Sequence, residues 1–179
     1  MMREKASMML AVMLVIAAAG CLGQDTTPGP KQMKYANNTL NFRAPLTLAA
    51  QVPVVPSEDT LKMLLSEPQP IAVAYVPNDS LNGFYAAASF ELGYKLTIYY
   101  KAAFGESAEI VSLPVSGSDE VSAAAANQTV IFLVGNADRT SVLVHANVIE
   151  VDGKDMTENG RDYTDLDLAV DKFLITVLK

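Results

Sequence analysis

Runs of apolar residues mark the strands that the chain predicts. Three of them, IAVAYV at 71–76, EIVSLPV at 109–115 and TVIFLVG at 129–135, are continuous or nearly so. Such runs are typical of parallel strands that are covered on both faces. A fourth stretch, SVLVHANVIEVDG at 141–153, predicts an antiparallel hairpin. Asn147 lies between its two short apolar segments, and asparagine tolerates the left-handed conformation of a turn.

Helical periodicity lies between the first two strands. Apolar residues recur there at spacings of about three or four and so form one face of a helix: Leu81, Phe84, Tyr85, Ala88, Leu92, Leu96 and Tyr99. This pattern predicts a helix of about five turns. Gly93, Thr97 and Ile98 have low helix propensity and allow for an earlier end of that helix.

Three shorter helices are predicted by their first residues. Ser57 precedes two acidic residues and LKMLL, Ser118 opens SDEVSAAAAN, and Thr164 precedes DLDLAVDKFLITVLK. Serine and threonine are preferred N-caps, and acidic residues in a first turn suit the positive end of the helix dipole. Between 39 and 55, β-forming residues and prolines predict short edge strands or an extended arm.

The order of these elements predicts the fold class. Strand, helix and strand within 109–135 imply a parallel pair that is joined by a right-handed crossover. We therefore predict an α/β fold, in which a small and mostly parallel sheet carries helices on its faces and an antiparallel hairpin is added.

The first 20 residues have the layout of a secretory signal peptide. Arg3 and Lys5 precede an uncharged apolar run of about a dozen residues, which is shorter than the roughly 20 residues of a membrane-spanning helix. Small residues from Ala18 to Gly20 then precede Cys21, the single cysteine of the chain. This arrangement resembles the lipobox of bacterial and archaeal lipoproteins, with Ala18 where leucine is usual. The resemblance implies cleavage before Cys21 and acylation of its thiol.

The segment after Cys21 is rich in proline, glycine and threonine, which is the composition of a spacer. We predict a signal peptide at 1–20, a lipidated cysteine and flexible linker at 21–37, and a single α/β domain at 38–179. An ordinary signal peptide with a free thiol is the alternative. An unpaired exposed cysteine is reactive in an oxidising compartment, and this favours lipidation. The host, bacterial or archaeal, stays open, and the pairing of VIEVDGKD with the DLDLAVDKFL segment resembles archaeal envelope lipoproteins of unknown function.

Net charge and amino-acid composition argue against some classes of binding partner. The chain has 13 basic and 20 acidic residues, and cleavage before Cys21 leaves 11 basic and 19 acidic ones. A net-negative protein is poorly suited to nucleic acid and to electrostatic docking on anionic lipid. Half of the residues are apolar and only 18% are charged, which indicates a packed domain.

The sequence contains few groups that could carry catalysis. A single histidine, His145, excludes multi-histidine metal signatures, and we expect it to be a surface residue on the hairpin turn. Phosphate-binding glycine loops and the GxSxG motif are absent from the sequence. The acidic stretch DGKDMTENGRDYTDLD departs from the calcium-loop template, so a solvated loop explains it better than a calcium site. We therefore expect no metal, no cofactor and no catalytic residue.

Two loops follow predicted strands and are candidates for binding a ligand. Ligands of α/β sheets usually lie beyond the carboxyl ends of strands. Here these positions are 77–83 and 135–140, with the candidate ligand-binding residues Asn78, Ser80, Asn82, Asn136 and Arg139. Turn formation alone also explains these residue types. NxS/T sequons at Asn37, Asn78 and Asn127 are candidate N-glycosylation sites in an exported chain.

These observations predict a non-catalytic domain that is lipid-anchored on the extracytoplasmic face of the cell membrane and that binds an envelope partner or helps to organise the envelope. The alternative is a small solute-binding or sensor lipoprotein that uses the crevice between the two loops. An enzyme would need acidic groups with raised pKa values that share a cleft.

Overall fold

The computed structural model describes residues 29–179, so the predicted signal peptide, Cys21 and the beginning of the linker lie outside the described residues. Its main sheet consists of β3 (Val54–Val55), β4 (Ile71–Tyr75), β5 (Ile110–Pro114), β6 (Thr129–Gly135), β7 (Ser141–His145) and β8 (Val148–Gly153). The strand order is β3-β7-β8-β6-β4-β5. Strands β4, β5, β6 and β8 are parallel to one another. Strand β7 is antiparallel to β8, and β3 is parallel to β7. The predicted α/β fold is confirmed.

The strand order corrects one detail of the prediction. Strands β5 and β6 are parallel but not neighbours, because β4 lies between them and pairs with both. The burial pattern gives the physical reason. Residues 71–74 are all buried, as in a central strand, whereas Val111 of β5 is 43% exposed, as in an edge strand.

Residues 29–179 form five helices, α1 (Leu46–Ala49), α2 (Glu58–Leu64), α3 (Asn82–Phe104), α4 (Ser118–Ala124) and α5 (Asp165–Val177). The predicted caps of α2 and α5 are confirmed. The Ser57 hydroxyl accepts a hydrogen bond from the backbone N–H of Thr60 at 3.2 Å. Thr164 and Asp167 form a reciprocal capping box, in which two orphan N–H groups gain partners.

Helices α3 and α4 differ from expectation. The predicted N-cap Ser118 is instead the first residue of α4, and Gly117 occupies the cap position. There the Glu120 carboxylate accepts from the N–H of Ser116 at 2.9 Å and satisfies a backbone donor near the helix start. Helix α3 does not end early, since it runs for 23 residues to Phe104 and ends at the C-cap Gly105, which has the left-handed φ of 77°. Tertiary burial of its apolar face outweighs the low propensity of a few residues.

The two faces of the main sheet are covered differently. One face, here called the covered face, packs under α2, α3 and α5, and it contributes completely buried residues such as Ile131, Ile149 and Val151. The short helix α4 packs on the opposite face, where Val121 joins the buried Ala72, Ala74 and Val130 in a second, smaller core.

Beyond α4, the second face is less covered. Several residues on this face are half-buried or exposed, and we call six of them the open patch: Val55, Phe132, Leu143, His145, Val148 and Glu150. Within the described part of the chain, α4 is the helix on this side, and Phe132 and Val148 pack against the edge of its small core, whereas Val55, Leu143 and His145 are not part of that core. The predicted helices on both faces are therefore present, with one face covered over only part of its area.

The turn of the β7–β8 hairpin lies at the edge of the open patch. The hairpin is confirmed, but the left-handed residue is Ala146, with φ of 51°. Asn147 uses its side chain instead, because Nδ2 donates to the carbonyl of Ala125 at 3.1 Å and so joins the turn to the end of α4.

An N-terminal hairpin precedes the sheet. It consists of β1 (Gln32–Tyr35) and β2 (Asn38–Asn41), which pair as a separate two-stranded antiparallel sheet. The folded domain thus begins before residue 38, and β1 lies in the segment that the sequence assigns to the linker. Met33 and Tyr35 alternate with exposed residues and pack against the main core, and this short alternation is the signal of the strand. The segment from 39 to 55 does contain short strands, but also α1.

Candidate functional site

The N-terminal hairpin and helix α3 enclose a groove of about 410 Å³, here called the hairpin groove. Its lining residues are Thr39, Asn41, Phe42, Arg43, Ala87, Phe90, Glu91, Tyr94 and Lys95. On the hairpin side, alternation along β2 exposes Thr39 and Asn41 while Leu40 enters the core. On the α3 side, the spacing of three and four residues brings the lining residues onto one helix face.

An aromatic pair forms the outer rim of the groove. The rings of Phe90 and Tyr94 lie 6.4 Å apart with an interplanar angle of 4°. They are 75% and 55% exposed, on the outward face of α3. We call this pair the aromatic rim.

A charged cluster lies at the inner end of the groove. Lys95 on α3 forms an ion pair with Glu91 one turn earlier, and both side chains are almost completely buried. The ammonium group of Lys95 also lies 3.8 Å from the centroid of the Phe42 ring, a cation–π contact. Its distance to Oδ1 of Asp171 on α5 is 4.0 Å. The cluster therefore joins α3, α5 and the hairpin.

Asp171 is the deepest member of this cluster. Its Oδ2 accepts from the backbone N–H of Ala44 at 2.7 Å, whereas Oδ1 has no hydrogen-bond partner among the described residues. Burial raises the pKa of Asp171 to about 8, and the neighbouring Glu91 carboxylate adds to this effect. A protonated carboxyl is consistent with a buried oxygen that lacks a donor. Because Asp171 is completely buried, it is not accessible to a ligand in the groove and acts as a structural acid.

A second ion pair flanks the groove. Arg43 donates from Nε to Oδ1 of Asp167 at 2.8 Å, while the other oxygen of Asp167 accepts from Thr164. One carboxylate thus completes a helix cap and holds the hairpin against α5. From the sequence, Asp167 was predicted to suit the helix dipole within a solvated acidic stretch, and Glu91, Lys95 and Asp171 were not predicted to have a role. The available signal was Asp171 itself, an acid inside the apolar run of α5.

The loops predicted to bind a ligand, 77–83 and 135–140, do lie side by side, because β4 and β6 are neighbours. Leu81 and Tyr85 fill the space between them, and the Tyr85 hydroxyl accepts from the N–H of Gly135 at 3.1 Å. Asn78, Ser80 and Asn82 are hydrogen-bonded to one another at the start of α3. Two residues of the other loop, Asn136 and Arg139, are exposed. Ligand binding by these five residues stays a prediction.

A second pair of acids consists of Glu150 in the open patch and the buried Asp152, two residues later on β8. Burial raises the pKa of Glu150, and the nearby charge of Asp152 adds to it, whereas His145 and Arg139 act in the opposite direction. Asp152 is buried and accepts from the Ser141 hydroxyl at 2.8 Å. His145 lies at the end of β7 and is exposed, as its predicted place on the turn required.

The acidic residues between β8 and the first turn of α5 form hydrogen bonds and ion pairs within their own loop. Asp155 accepts from the N–H and hydroxyl of Thr157, and Asp165 pairs with Arg161 at 3.3 Å. Among residues 29–179, no set of three or more His, Cys, Asp or Glu side chains is placed to hold a metal ion.

The three sequons differ in their surroundings. Asn37 is exposed in the β1–β2 turn, next to Ala36 with φ of 49°. Asn78 uses its side chain to accept from Ser80, the hydroxyl residue of its own sequon. Asn127 is exposed, but the Thr129 of its sequon is buried in β6. Access therefore favours Asn37, and the use of all three stays a prediction.

Comparison with protein-family models, with curated proteins and with solved structures finds no match to this chain. In the described part of the chain, no helix combines the length and the apolar character that crossing a bilayer requires. The function therefore has to be inferred from the residues themselves.

Proposed function

We propose that the protein is a lipid-anchored domain on the extracytoplasmic face of the cell membrane, and that it binds a protein of the envelope without catalysing a reaction. The lipobox-like sequence around Cys21 supports the anchor. The described fold begins at Gly29, and eight residues can span at most about 29 Å. An acyl chain on Cys21 would hold the folded domain within that distance of the bilayer surface.

The open patch is the observation that supports partner binding. Phe132 and Val148 are half-buried at the edge of the α4 core, Leu143 on β7 is half-buried outside that core, and Val55 at the end of β3 is exposed. Contiguous apolar surface on a soluble domain is one mark of a protein–protein contact site. A protein with a complementary apolar surface would cover the half of the sheet that α4 leaves open.

The groups described above support binding more than catalysis. Asp171 has a strongly raised pKa but is sealed in the interior. Lys95 is engaged by Glu91 and by the ring of Phe42. The solute-binding alternative has less support, because Leu81 and Tyr85 occupy the space between the two loops.

Mass spectrometry of the membrane fraction tests the anchor. We expect a chain that begins at Cys21 and carries a lipid-sized additional mass, and we expect Cys21→Ser to abolish both the mass and membrane retention. A soluble mature protein without lipid would disprove the anchor.

Photo-crosslinking tests the open patch. A crosslinkable residue at Leu143 is expected to join one envelope protein, and the matched control is Met63 on α2, which is 74% exposed outside the patch. Leu143→Lys should abolish the complex in the otherwise intact chain. Equal crosslinking from both positions would contradict the proposal.

A further inference from the structure

The point at which the tether enters the domain lies close to the hairpin groove. Lys31 is directly paired with Phe42, since its carbonyl accepts from the Phe42 N–H at 2.7 Å, and Phe42 lines the groove. Gly29 is two residues before Lys31, a distance of at most about 7 Å along the chain. A lipid at Cys21 would thus hold this side of the molecule near the bilayer. The open patch belongs to the other side of the sheet, away from α3 and the hairpin.

The aromatic rim lies on the same side as the tether. Phe90 is the most exposed large apolar residue of the described chain, and Tyr94 is stacked beside it. Aromatic rings are favoured at the boundary between headgroups and acyl chains, and tyrosine places its hydroxyl in the hydrated layer. Leu48 on α1 is a further exposed apolar residue next to the tether, because the N–H of Leu46 donates to the carbonyl of Pro30.

Charge is segregated in a way that fits this orientation. Residues 29–56 contain three basic side chains and no acidic one, whereas residues 57–179 contain eight basic and 18 acidic ones. Lys31 and Arg43 are balanced by Asp162 and Asp167, and Lys95 is balanced by Glu91. Segment 29–56, which receives the tether, therefore contributes no negative charge that the surface of a membrane would repel, whereas residues 57–179 carry a net charge of 8 minus 18, or −10.

We propose that the aromatic rim is a membrane-contact site, in which Phe90 and Tyr94 enter the headgroup–acyl boundary of the bilayer that carries the lipid anchor. The inference rests on the proposed anchoring at Cys21. It orients the domain, since contact through the rim turns the open patch away from the membrane and towards a partner. The rim adds a second, weak membrane attachment besides the acyl chain. We expect its rings to reach the depth of about 5–10 Å that is usual for interfacial apolar faces.

Tryptophan fluorescence tests the contact directly, because the chain contains no tryptophan. The full chain with Phe90→Trp is expressed with its own leader, purified from membranes, and reconstituted in phosphatidylcholine vesicles with brominated acyl chains. We expect a blue shift and quenching by the bromine atoms. The matched control is Val111→Trp, on the other face of the sheet and 43% exposed, whose emission should remain unquenched.

A second reporter leaves the aromatic rim unchanged. Thr39→Trp lies on the opposite wall of the groove, and its quenching should decrease when Phe90→Ser and Tyr94→Ser are added. Equal quenching with and without the rim, or quenching of Val111→Trp to the same extent as Phe90→Trp, would overturn the inference. The mass of the same samples separates the two failures. A lipidated but unquenched Phe90→Trp protein overturns the membrane contact alone, and an unlipidated protein overturns the anchor as well.

Discussion

The two faces of the main sheet use the same strands but bury them to different extents. Ile149 on β8 packs under α5 and is completely buried, whereas Leu143 on β7 points to the other side and is only half-buried. Alternation sends consecutive residues to opposite faces, so the strands themselves do not explain the difference. The helices do, since α5 has 13 residues on the covered face and α4 has seven on the other. The covered face carries most of the stability, and the open patch is left for binding.

Acidic groups on the two sides of the sheet are also buried to different extents. Asp171 is completely buried between α3, α5 and the hairpin, and its pKa is raised to about 8. Glu150 on the open patch also has a raised pKa, but it is half-buried and water still reaches it. Burial is the largest cause of the raised pKa in both cases. The extent to which helices cover each side of the sheet therefore governs how far the pKa is raised.

The largest expected effect is the pH dependence that Asp171 causes. The pKa is about 8 in the folded protein and 3.8 in the unfolded chain, so only the folded state keeps the proton between these values. The free energy of unfolding should therefore fall as the pH rises from 5 to 8, by on the order of a few kcal/mol. Asp171→Asn cannot ionise and should remove most of this slope. Urea unfolding at pH 5, 6, 7 and 8 measures it.

Glu150→Gln is the control for that experiment, and its effect on the slope should be much smaller. The acids whose pKa is lowered, Glu58, Asp155 and Asp162, contribute in the opposite direction. Their contributions are lost only as the pH falls below their ordinary values of 4.5 and 3.8, outside this window. A wild-type protein that is equally stable at pH 5 and pH 8 would contradict the protonated state of Asp171.

The next largest effect probes how closely α5 packs on the covered face. A Cβ atom at Gly153 would lie 2.5 Å from the backbone nitrogen and 2.7 Å from the Cα of Leu166. Gly153→Ala must displace the first turn of α5, so we expect a loss of about 3 kcal/mol in the free energy of unfolding. Gly93→Ala is the matched control, because nothing lies within 4 Å of the added atom. Alanine should stabilise α3 there by about 0.5–1 kcal/mol. Similar losses in both variants would refute the close packing at Gly153.

The smallest expected effect compares the two faces with side chains of equal size. Ile149→Ala should cost about 3 kcal/mol, because it leaves a cavity under α5. Leu143→Ala removes as many carbon atoms from the open patch and should cost about 1 kcal/mol or less, since water already reaches the site. Chemical denaturation of both variants measures the difference. A loss at Leu143 as large as that at Ile149 would indicate that the open patch is part of the stabilising core.

Features that depend on neighbouring residues were predictable from the sequence. The Thr164 cap needs only the residues three positions on, and the strand at 129–135 needs only its own apolar run. Features that depend on distant partners were not. Ser118 is of a residue type that is common at N-caps, but Gly117 occupies the cap position. The Glu120 carboxylate accepts from the N–H of Ser116 near the helix start. The hairpin groove escaped prediction because its two walls are about 50 residues apart in the chain.

By itself, the sequence determined the strands and helices after residue 56, the α/β class and the presence of a candidate lipidation site at Cys21, but not β1 or α1. Hydrogen bonding and burial within a short segment suffice for the elements. Only the tertiary structure decided that β4 lies between β5 and β6, that one half of the sheet stays open, and that Glu91, Lys95 and Asp171 meet in the interior. These outcomes depend on which helix packs on which strand. Long-range packing sets that choice, and no local pattern of residues records it.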